Sequence, residues 1–279
     1  MKVVLSIVFI SVIGFINAQC DTVDHKEKFK NGSYVIGQKA CDKKVGEWKY
    51  FDKKDRLLIK ENFTEGQLNG ERSVWFSSGQ EQIAEQYDRG KLVGKKQKWN
   101  ETGQIIYEAS YDNGVLHGEE REWYDNGKLK MLTTYDMGKK TGAHEEYWEN
   151  GNLKEIGAYL NGEFDGEHKQ YYENGNLSSL INYSEGVRHG KYSTYFEDGG
   201  MSAEGEFEEG KQNFLWKTYH PNGQLHSMGS YLGGAKDGEW EEWFQDGQLK
   251  SKGSYSQGEK IDVWLEWSET GKKTKTKYK

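Results

Sequence analysis

The sequence predicts an all-β fold: an elongated array of antiparallel β-hairpins that form one twisted sheet, a meander or solenoid. Three observations carry this prediction. A 24-residue unit recurs without insertion or deletion from Gly46 to the C-terminus, aromatic residues recur at fixed positions within it, and 35 glycines punctuate the chain. A repeat of this length indicates one supersecondary element that stacks on its neighbours. Helix competes poorly, because each interior glycine would cost about 1 kcal/mol relative to alanine.

Each unit divides into two strands and two turns. With the first residue of a unit counted as position zero, position five is aromatic in all ten units and position nine is glycine in nine. Position eleven is mostly aliphatic, position seventeen is Phe or Tyr in nine units, and position twenty is glycine in every complete unit. Aromatic-rich runs separated by Asn-Gly or Asp-Gly are typical of β-hairpins. The position-five residues are Phe51, Trp75, Trp99, Trp123, Tyr147, Tyr171, Tyr195, Tyr219, Trp243 and Trp267.

One proline selects the turn between these strands. Pro221 stands in the turn of the eighth unit, and proline fits the first central position of a type I turn but cannot take the positive φ of type I′. The sequence therefore predicts a three-residue loop closed by a left-handed glycine, which pairs position five with position eleven. In this register we expect positions five, eleven, thirteen, fifteen and seventeen to share one face and form an aromatic ladder. Glycines at position fifteen would leave room for a neighbouring ring: Gly157, Gly205, Gly229 and Gly253.

The residues before the repeats indicate export. Residues 1–18 resemble a secretory signal peptide, with Lys2, an apolar run and Ala18, and an uncleaved N-terminal anchor is the alternative. Cleavage would leave Cys20 as the second residue of the mature chain, and lipidation of Cys20 is a weaker alternative because its flanking residues do not fit a lipoprotein pattern. Residues 19–45 hold both cysteines, and we expect Cys20 and Cys41 to form a disulfide in an exported chain. Two free thiols would fit an intracellular protein.

The remaining residues, 46–279, form the ten repeats, the last of them truncated, and they contain no further apolar segment long enough to span a membrane. A net charge of −7 argues against a nucleic-acid partner. Lys273, Lys275, Lys277 and Lys279 alternate along the last strand, where a basic patch for a membrane or nucleic acid is the alternative to a structural role. We expect them on the face that carries Leu, Gly and Tyr elsewhere, where they would block edge-to-edge growth of the sheet and keep the protein monomeric.

The sequence predicts no enzyme, cofactor or metal site. Its histidines are scattered over ordinary repeat positions, whereas a metal site needs three or four converging ligands. Glycine-rich stretches lack the spacing and the Lys-Ser/Thr ending of a phosphate-binding loop. Acidic turns lack the alternating ligands of an EF-hand.

The repeat resembles a known family. The unit that begins Gly118-Glu-Glu-Arg-Glu-Trp123-Tyr-Asp-Asn-Gly127 is similar to the MORN-repeat variant found in many bacterial proteins, and the resemblance runs from Gly46 to about Gly271. It implies an elongated antiparallel sheet, a non-enzymatic interaction role and no catalytic residues. Some bacterial relatives are labelled antitoxin components, and related eukaryotic arrays are regarded as scaffolds near membranes. The predicted export signal does not fit the role of a cytoplasmic antitoxin.

We therefore predict an exported scaffold or interaction module with a protein partner. One alternative is a cell-envelope glycan binder that uses an aromatic sheet face. Another is an antitoxin-like inhibitor of a partner toxin. The candidate binding residues are the less regular aromatics at positions two and six, which we expect to point away from positions five and seventeen. They are Trp48, Tyr124, Trp148, Tyr172, Phe196, Trp216, Trp240, Phe244 and Trp264.

Overall fold

The computed structural model describes residues 20–279 as one antiparallel sheet of 23 strands, and it contains no helix among these residues. Successive strands pair along the chain, apart from one strand that is interrupted and whose two pieces both pair with the strand before them, so the chain meanders from one end of the sheet to the other. This confirms the predicted all-β hairpin array. The predicted signal peptide, residues 1–18, lies outside the described residues.

The strands are β1 (Thr22–Lys28), β2 (Tyr34–Ala40), β3 (Lys43–Phe51), β4 (Leu57–Thr64), β5 (Gln67–Trp75), β6 (Glu81–Asp88), β7 (Lys91–Trp99), β8 (Ile105–Asp112), β9 (Val115–Trp123), β10 (Leu129–Asp136), β11 (Lys139–Tyr147), β12 (Leu153–Leu160), β13 (Glu163–Phe164), β14 (Gly166–Tyr171), β15 (Leu177–Ser184), β16 (Val187–Tyr195), β17 (Met201–Glu208), β18 (Lys211–Tyr219), β19 (Leu225–Leu232), β20 (Ala235–Trp243), β21 (Leu249–Ser256), β22 (Glu259–Trp267) and β23 (Lys273–Lys277). β13 and β14 are two pieces of one strand, which is interrupted at Asp165.

The predicted three-residue loop is confirmed. In the fourth unit the backbone N–H of Gly127 donates to the carbonyl oxygen of Tyr124 at 2.8 Å, and Trp123 pairs with Leu129. Gly127 has a φ of 82°, and every other glycine at position nine also has a positive φ. Only glycine takes this conformation without steric cost, which explains its regularity at position nine. The other end of each strand pair is closed by a two-residue turn, with a positive φ at both Met137 and Gly138, for example.

The predicted sharing of one face by positions five to seventeen is wrong. After Trp123 pairs with Leu129, Glu122 pairs with Met131, so that Lys130 is an extra residue without a partner. One extra residue shifts the alternation of side chains, because strand residues point to opposite faces with a period of two. Positions thirteen, fifteen and seventeen therefore lie opposite positions five and eleven, on the same face as positions two and four.

The two faces differ in how well they are covered. The packed face carries positions two, four, thirteen, fifteen and seventeen, and its tryptophans at position two are the most buried large residues of the sheet. Trp48 is 1%, Trp264 is 2%, Trp240 is 4% and Trp216 is 5% exposed. The open face carries positions one, three, five, eleven and fourteen, and none of its aromatic residues is fully buried.

Each buried tryptophan lies over a glycine of the preceding strand. A Cβ atom built on Gly229 would be 2.2 Å from Cδ2 of Trp240, and Gly37, Gly205 and Gly253 stand in the same relation to their tryptophans. The indole Nε1 of Trp240 donates to the carbonyl oxygen of Ser230 at 3.0 Å, so burial leaves no unsatisfied donor. The glycines of position fifteen therefore do leave room for a neighbouring ring, as predicted, and that ring is the tryptophan of position two.

The tryptophans alternate with the rings of position seventeen. Tyr231 and Trp240 meet edge to face with their ring centroids 5.1 Å apart, and Trp240 and Tyr255 do so at 6.0 Å. Contacts of this kind run without a break from Tyr192 to Trp264. Edge-to-face pairs contribute about 0.5–1.5 kcal/mol each beyond their burial. An aromatic ladder does hold the array together, and it consists of positions two and seventeen.

In several units between Trp48 and Trp216 the same contact is polar. Lys96 at position two lies 2.8 Å from Glu85 at position fifteen, and this carboxylate is buried. The Thr133 hydroxyl and the Nδ1 atom of His144 are 2.8 Å apart at the equivalent place in the fifth unit. Positions fifteen and two therefore make the contact between successive units throughout the sheet, although the residue types at these positions differ from unit to unit.

The two ends of the sheet are irregular. Cys20 and Cys41 form a disulfide with their Cα atoms 5.5 Å apart, which joins the ends of the β1–β2 hairpin. At the other end, β23 pairs with β22 without an extra residue. Lys273, Lys275 and Lys277 consequently lie on the open face, which carries the leucines of position eleven. The glycines of position fifteen and the tyrosines of position seventeen lie on the packed face, so the prediction that the lysines share a face with them was wrong.

A methyl group at position fifteen should disrupt the ladder. We expect Gly229→Ala to destabilise the protein by about 1–3 kcal/mol, because the new Cβ would overlap the Trp240 ring. Gly200→Ala is the control, since a Cβ there would lie 3.2 Å from Asp198 Oδ1 and 3.8 Å from Phe196 Cδ2, without overlap. In a Trp240→Ala background the cost of Gly229→Ala should disappear. Equal destabilisation by the two alanine variants in chemical denaturation would contradict this packing.

Candidate interaction surface

The predicted binding residues at position two are not available to a partner. Trp216, Trp240 and Trp264 do point away from position five, as expected, but the face they lie on is the packed face. Trp48 lies there too. Lysine ammonium groups close over the last two rings of the series, with Lys236 Nζ 3.9 Å from the Trp240 ring centre and Lys260 Nζ 4.0 Å from that of Trp264. The prediction that position two is an exposed binding position was wrong because it did not include the extra residue between positions eleven and thirteen, which places positions thirteen, fifteen and seventeen on the face of position two.

The predicted binding residues at position six begin the hairpin turns and join successive units. The Tyr124 hydroxyl donates to the carbonyl oxygen of Tyr147 at 2.7 Å, and Trp148 Nε1 donates to that of Tyr171 at 3.1 Å. Tyr172 repeats the contact with Tyr195. These side chains are half-buried, as are Phe196 and Phe244, which have no polar group. Position six therefore has a structural role at the hairpin tips.

The open face presents a continuous apolar band beside the same tips. Positions five and eleven pair directly across each hairpin, so an aromatic ring and an aliphatic side chain stand side by side in every unit from the third to the seventh. All of these side chains are half-buried, and no second layer formed by residues 20–279 covers them. We call this band the tip stripe. It consists of Trp99, Ile105, Trp123, Leu129, Tyr147, Leu153, Tyr171, Leu177, Tyr195 and Met201.

A histidine pair shares one carboxylate at the interrupted strand. His168 Nε2 lies 3.0 Å and His144 Nε2 lies 3.6 Å from Glu155 Oε1, and both histidines are buried. Contacts with His144 and then His168 hold the pKa of Glu155 well below its usual range. Among residues 20–279, no group of three or more His, Cys, Asp or Glu side chains is arranged to hold a metal ion.

One irregular unit shows what sequence reasoning missed. Position zero is glycine with a positive φ in most units, but the eighth unit has Phe214 there, with a φ of 60° and 54% exposure. A bulky side chain rarely takes this conformation. Leu215 beside it is 49% exposed. The replacement of glycine by Phe214 at position zero was visible in the sequence, and it marks the place where these two apolar side chains are exposed.

Comparisons with known proteins identify the repeat. A sequence model of the family described as MORN repeat variant matches seven segments that together cover more than half of the chain. The segments are residues 92–113, 116–137, 140–161, 164–185, 188–209, 215–232 and 236–257. The matches leave out residues 210–214, where Phe214 replaces the glycine. No curated protein gives a significant match.

Among solved structures, a chain described as "Crystal Structure of TcdB2-TccC3" is similar to this chain at 14% sequence identity and a TM-score of 0.20. The likeness covers 84% of this chain and 16% of that chain. The structure has no helix, within residues 20–279, of the length and apolar character needed to cross a membrane.

Removal of a position-two ring should cost more than removal of a position-five ring. We expect Trp240→Ala to destabilise the protein by about 3–5 kcal/mol, because it deletes a fully buried indole. Trp123→Ala should cost less, because that ring is only half-buried on the open face. Melting temperatures of the two variants provide the comparison. A larger loss for Trp123→Ala would show that position five is the core.

The histidine pair should make stability depend on pH. A carboxyl group whose pKa is lowered by folding stabilises the protein fully above its unfolded pKa, about 4.3, and this contribution is lost as pH falls toward the folded pKa. We therefore expect Glu155→Gln to lower the melting temperature at pH 7, and the difference from the unmodified protein to shrink between pH 5 and pH 3. Glu185→Gln, an exposed carboxylate at a turn, is the control. A difference that is constant over this range would contradict the assignment.

Proposed function

Because this chain belongs to the MORN repeat variant family, we propose that it is an exported, non-enzymatic scaffold that binds a protein partner on its open face. MORN repeats are commonly modules that bind proteins or membranes. The residues of the tip stripe supply what a protein partner needs, namely half-exposed aromatic and aliphatic side chains on a rigid sheet.

The observation that carries this proposal is the contrast between the two faces. On the packed face the large rings are buried and their polar atoms are bonded, as for the Trp240 indole at 4% exposure. On the open face Tyr147, Leu153, Tyr171 and Leu177 form an apolar band that no other part of the described chain covers. A glycan ligand would need accessible ring faces, which the buried tryptophans at position two do not offer.

Two features support export. The predicted signal peptide at residues 1–18 is one, and the disulfide between Cys20 and Cys41 is the other. Disulfides persist in oxidising compartments and are rare in the cytosol. Partner binding would then take place in the periplasm, at the cell surface or outside the cell.

Capture of the partner tests the proposed surface. The double variant Leu153→Asn/Leu177→Asn should lose the partner that the unmodified protein retains from envelope and secreted fractions, because it places polar amides in the tip stripe without changing charge. Leu160→Asn is the matched control, since Leu160 is 46% exposed at the end of β12, outside the stripe. Melting temperatures establish that each variant is folded. Equal capture by both variants would refute binding at the tip stripe.

Intact-mass analysis tests export. Under non-reducing conditions the exported protein should begin at or very near Gln19 and carry no alkylatable thiol. A retained Met1, a lipid adduct on Cys20 or two reactive thiols would contradict the proposal.

A further inference from the structure

A row of carboxylates follows the hairpin tips beside the tip stripe. Position seven is acidic in five consecutive units, the third to the seventh, and each of these side chains is exposed. The eighth and ninth units have Pro221 and Gln245 there, so the row has a defined end. We call it the acidic row; it consists of Glu101, Asp125, Glu149, Glu173 and Glu197.

The carboxylates of the acidic row are unpaired, unlike most on the sheet faces. Glu85 lies 2.8 Å from Lys96 and Glu204 lies 3.0 Å from Lys217, as examples of faces on which charges are matched. Within residues 20–279, no lysine, arginine or histidine nitrogen lies within 4.0 Å of a carboxylate of the row. These charges are therefore free to meet a cationic partner.

The spacing of the row is fixed by the backbone. The side-chain amide of Asn126 donates to the carbonyl oxygen of Glu149 at 3.0 Å, and Asn150 donates to that of Glu173 at 2.8 Å. Asn174 makes the same bond to Glu197, so the tips of the fourth to the seventh units are bonded in series. Successive units advance by two strands, or about 9–10 Å. This distance exceeds the Debye length of about 8 Å at physiological ionic strength, so repulsion between neighbouring carboxylates of the row is largely screened.

This spacing matches one common polypeptide conformation. A polyproline II helix has three residues per turn and rises about 3.1 Å per residue, so every third side chain recurs on one side after about 9.3 Å. In a β-strand, by contrast, residues three apart point to opposite sides. The advance per unit of the sheet and the rise per turn of a polyproline II helix differ by a few tenths of an ångström. Over the row this difference amounts to about 1 Å, which a long arginine or lysine side chain can span.

The aromatic rings of the tip stripe complete the match. One ring at position five precedes each carboxylate of the row by two residues at the same hairpin tip, for example Tyr147 before Glu149 and Tyr171 before Glu173. Proline-rich segments in the polyproline II conformation dock on aromatic-lined surfaces, which they bind at a low entropic cost. Charge and shape thus favour the same kind of ligand.

We propose that the tip stripe and the acidic row together bind an extended, proline-rich segment of the partner with Arg or Lys at every third residue. This proposal rests on the proposed scaffold function and adds the chemistry of the partner. A segment of about fifteen residues would span the five acidic units, with its cations on the row and its prolines against the aromatic rings.

Two synthetic peptides of identical composition test the spacing. One has arginine at every third residue, as five Arg-Pro-Pro triplets, and the other has five consecutive arginines flanked by five prolines on each side. We expect the first to bind the full mature chain at least about tenfold more tightly in calorimetric titration, since it alone reaches every carboxylate. Equal affinities would overturn the proposal.

Charge variants test the site. Glu149→Gln/Glu173→Gln should weaken binding of the triplet peptide about tenfold and reduce its salt dependence. The matched control is Glu185→Gln/Glu209→Gln, which removes two exposed carboxylates from the opposite turns and should bind like the unmodified protein. Equal weakening by both double variants would indicate attraction to net charge alone and would overturn the site.

The two proposals fail separately. Loss of the natural partner in Leu153→Asn/Leu177→Asn, with no preference between the two peptides, would uphold the scaffold and overturn the proline-rich ligand. A strong preference for the triplet peptide with retention of the natural partner in that variant would support the ligand site and overturn the stripe as the scaffold's protein-binding surface.

Discussion

An indole ring lying over a glycine of the preceding strand is the contact on which the packed face depends. The described residues form a sheet of 23 strands with no second layer, and such a sheet has to bury apolar surface against itself. It does so by laying position-two rings along the sheet instead of pointing them away from it, and this requires glycine at position fifteen, as with Gly229 under Trp240. The arrangement lets the rings of position seventeen meet each indole edge to face, so that the ladder continues from unit to unit.

Much of this architecture could be predicted from the sequence. The repeat length, the aromatic spacing and Pro221 were sufficient for the hairpin array and for the pairing of position five with position eleven. The extra residue at position twelve was not visible, because Lys130 or Lys154 there looks like any exposed strand residue. Turn glycines mark where a hairpin closes, whereas nothing marks an insertion within a strand, and one residue exchanges the faces of all that follow.

A signal for the correct face was nevertheless present. Glycine is followed eleven residues later by tryptophan four times, as in Gly205 and Trp216, and the units without that glycine lack the tryptophan. Such a pairing indicates direct contact between the two positions. The prediction of the candidate site depended on the same assignment of faces. In the observed register Trp216, Trp240 and Trp264 belong to the core, and the aromatic residues of position five lie on the face that remains open. The acidic row was visible in the sequence as acidic turns, but its alignment with the aromatic rings follows only from the register.

Hydrogen exchange at the ten tryptophan indoles tests the assignment of the two faces most directly. The Nε1 atoms of Trp48, Trp216, Trp240 and Trp264 donate to backbone carbonyls, as does that of Trp148 at the tips, whereas no such bond exists for the five tryptophans at position five. Resolved indole resonances should therefore divide into five slowly exchanging and five rapidly exchanging protons, assigned by single Trp→Phe variants. Slow exchange at Trp123 and Trp243 with rapid exchange at Trp240 and Trp264 would contradict the account.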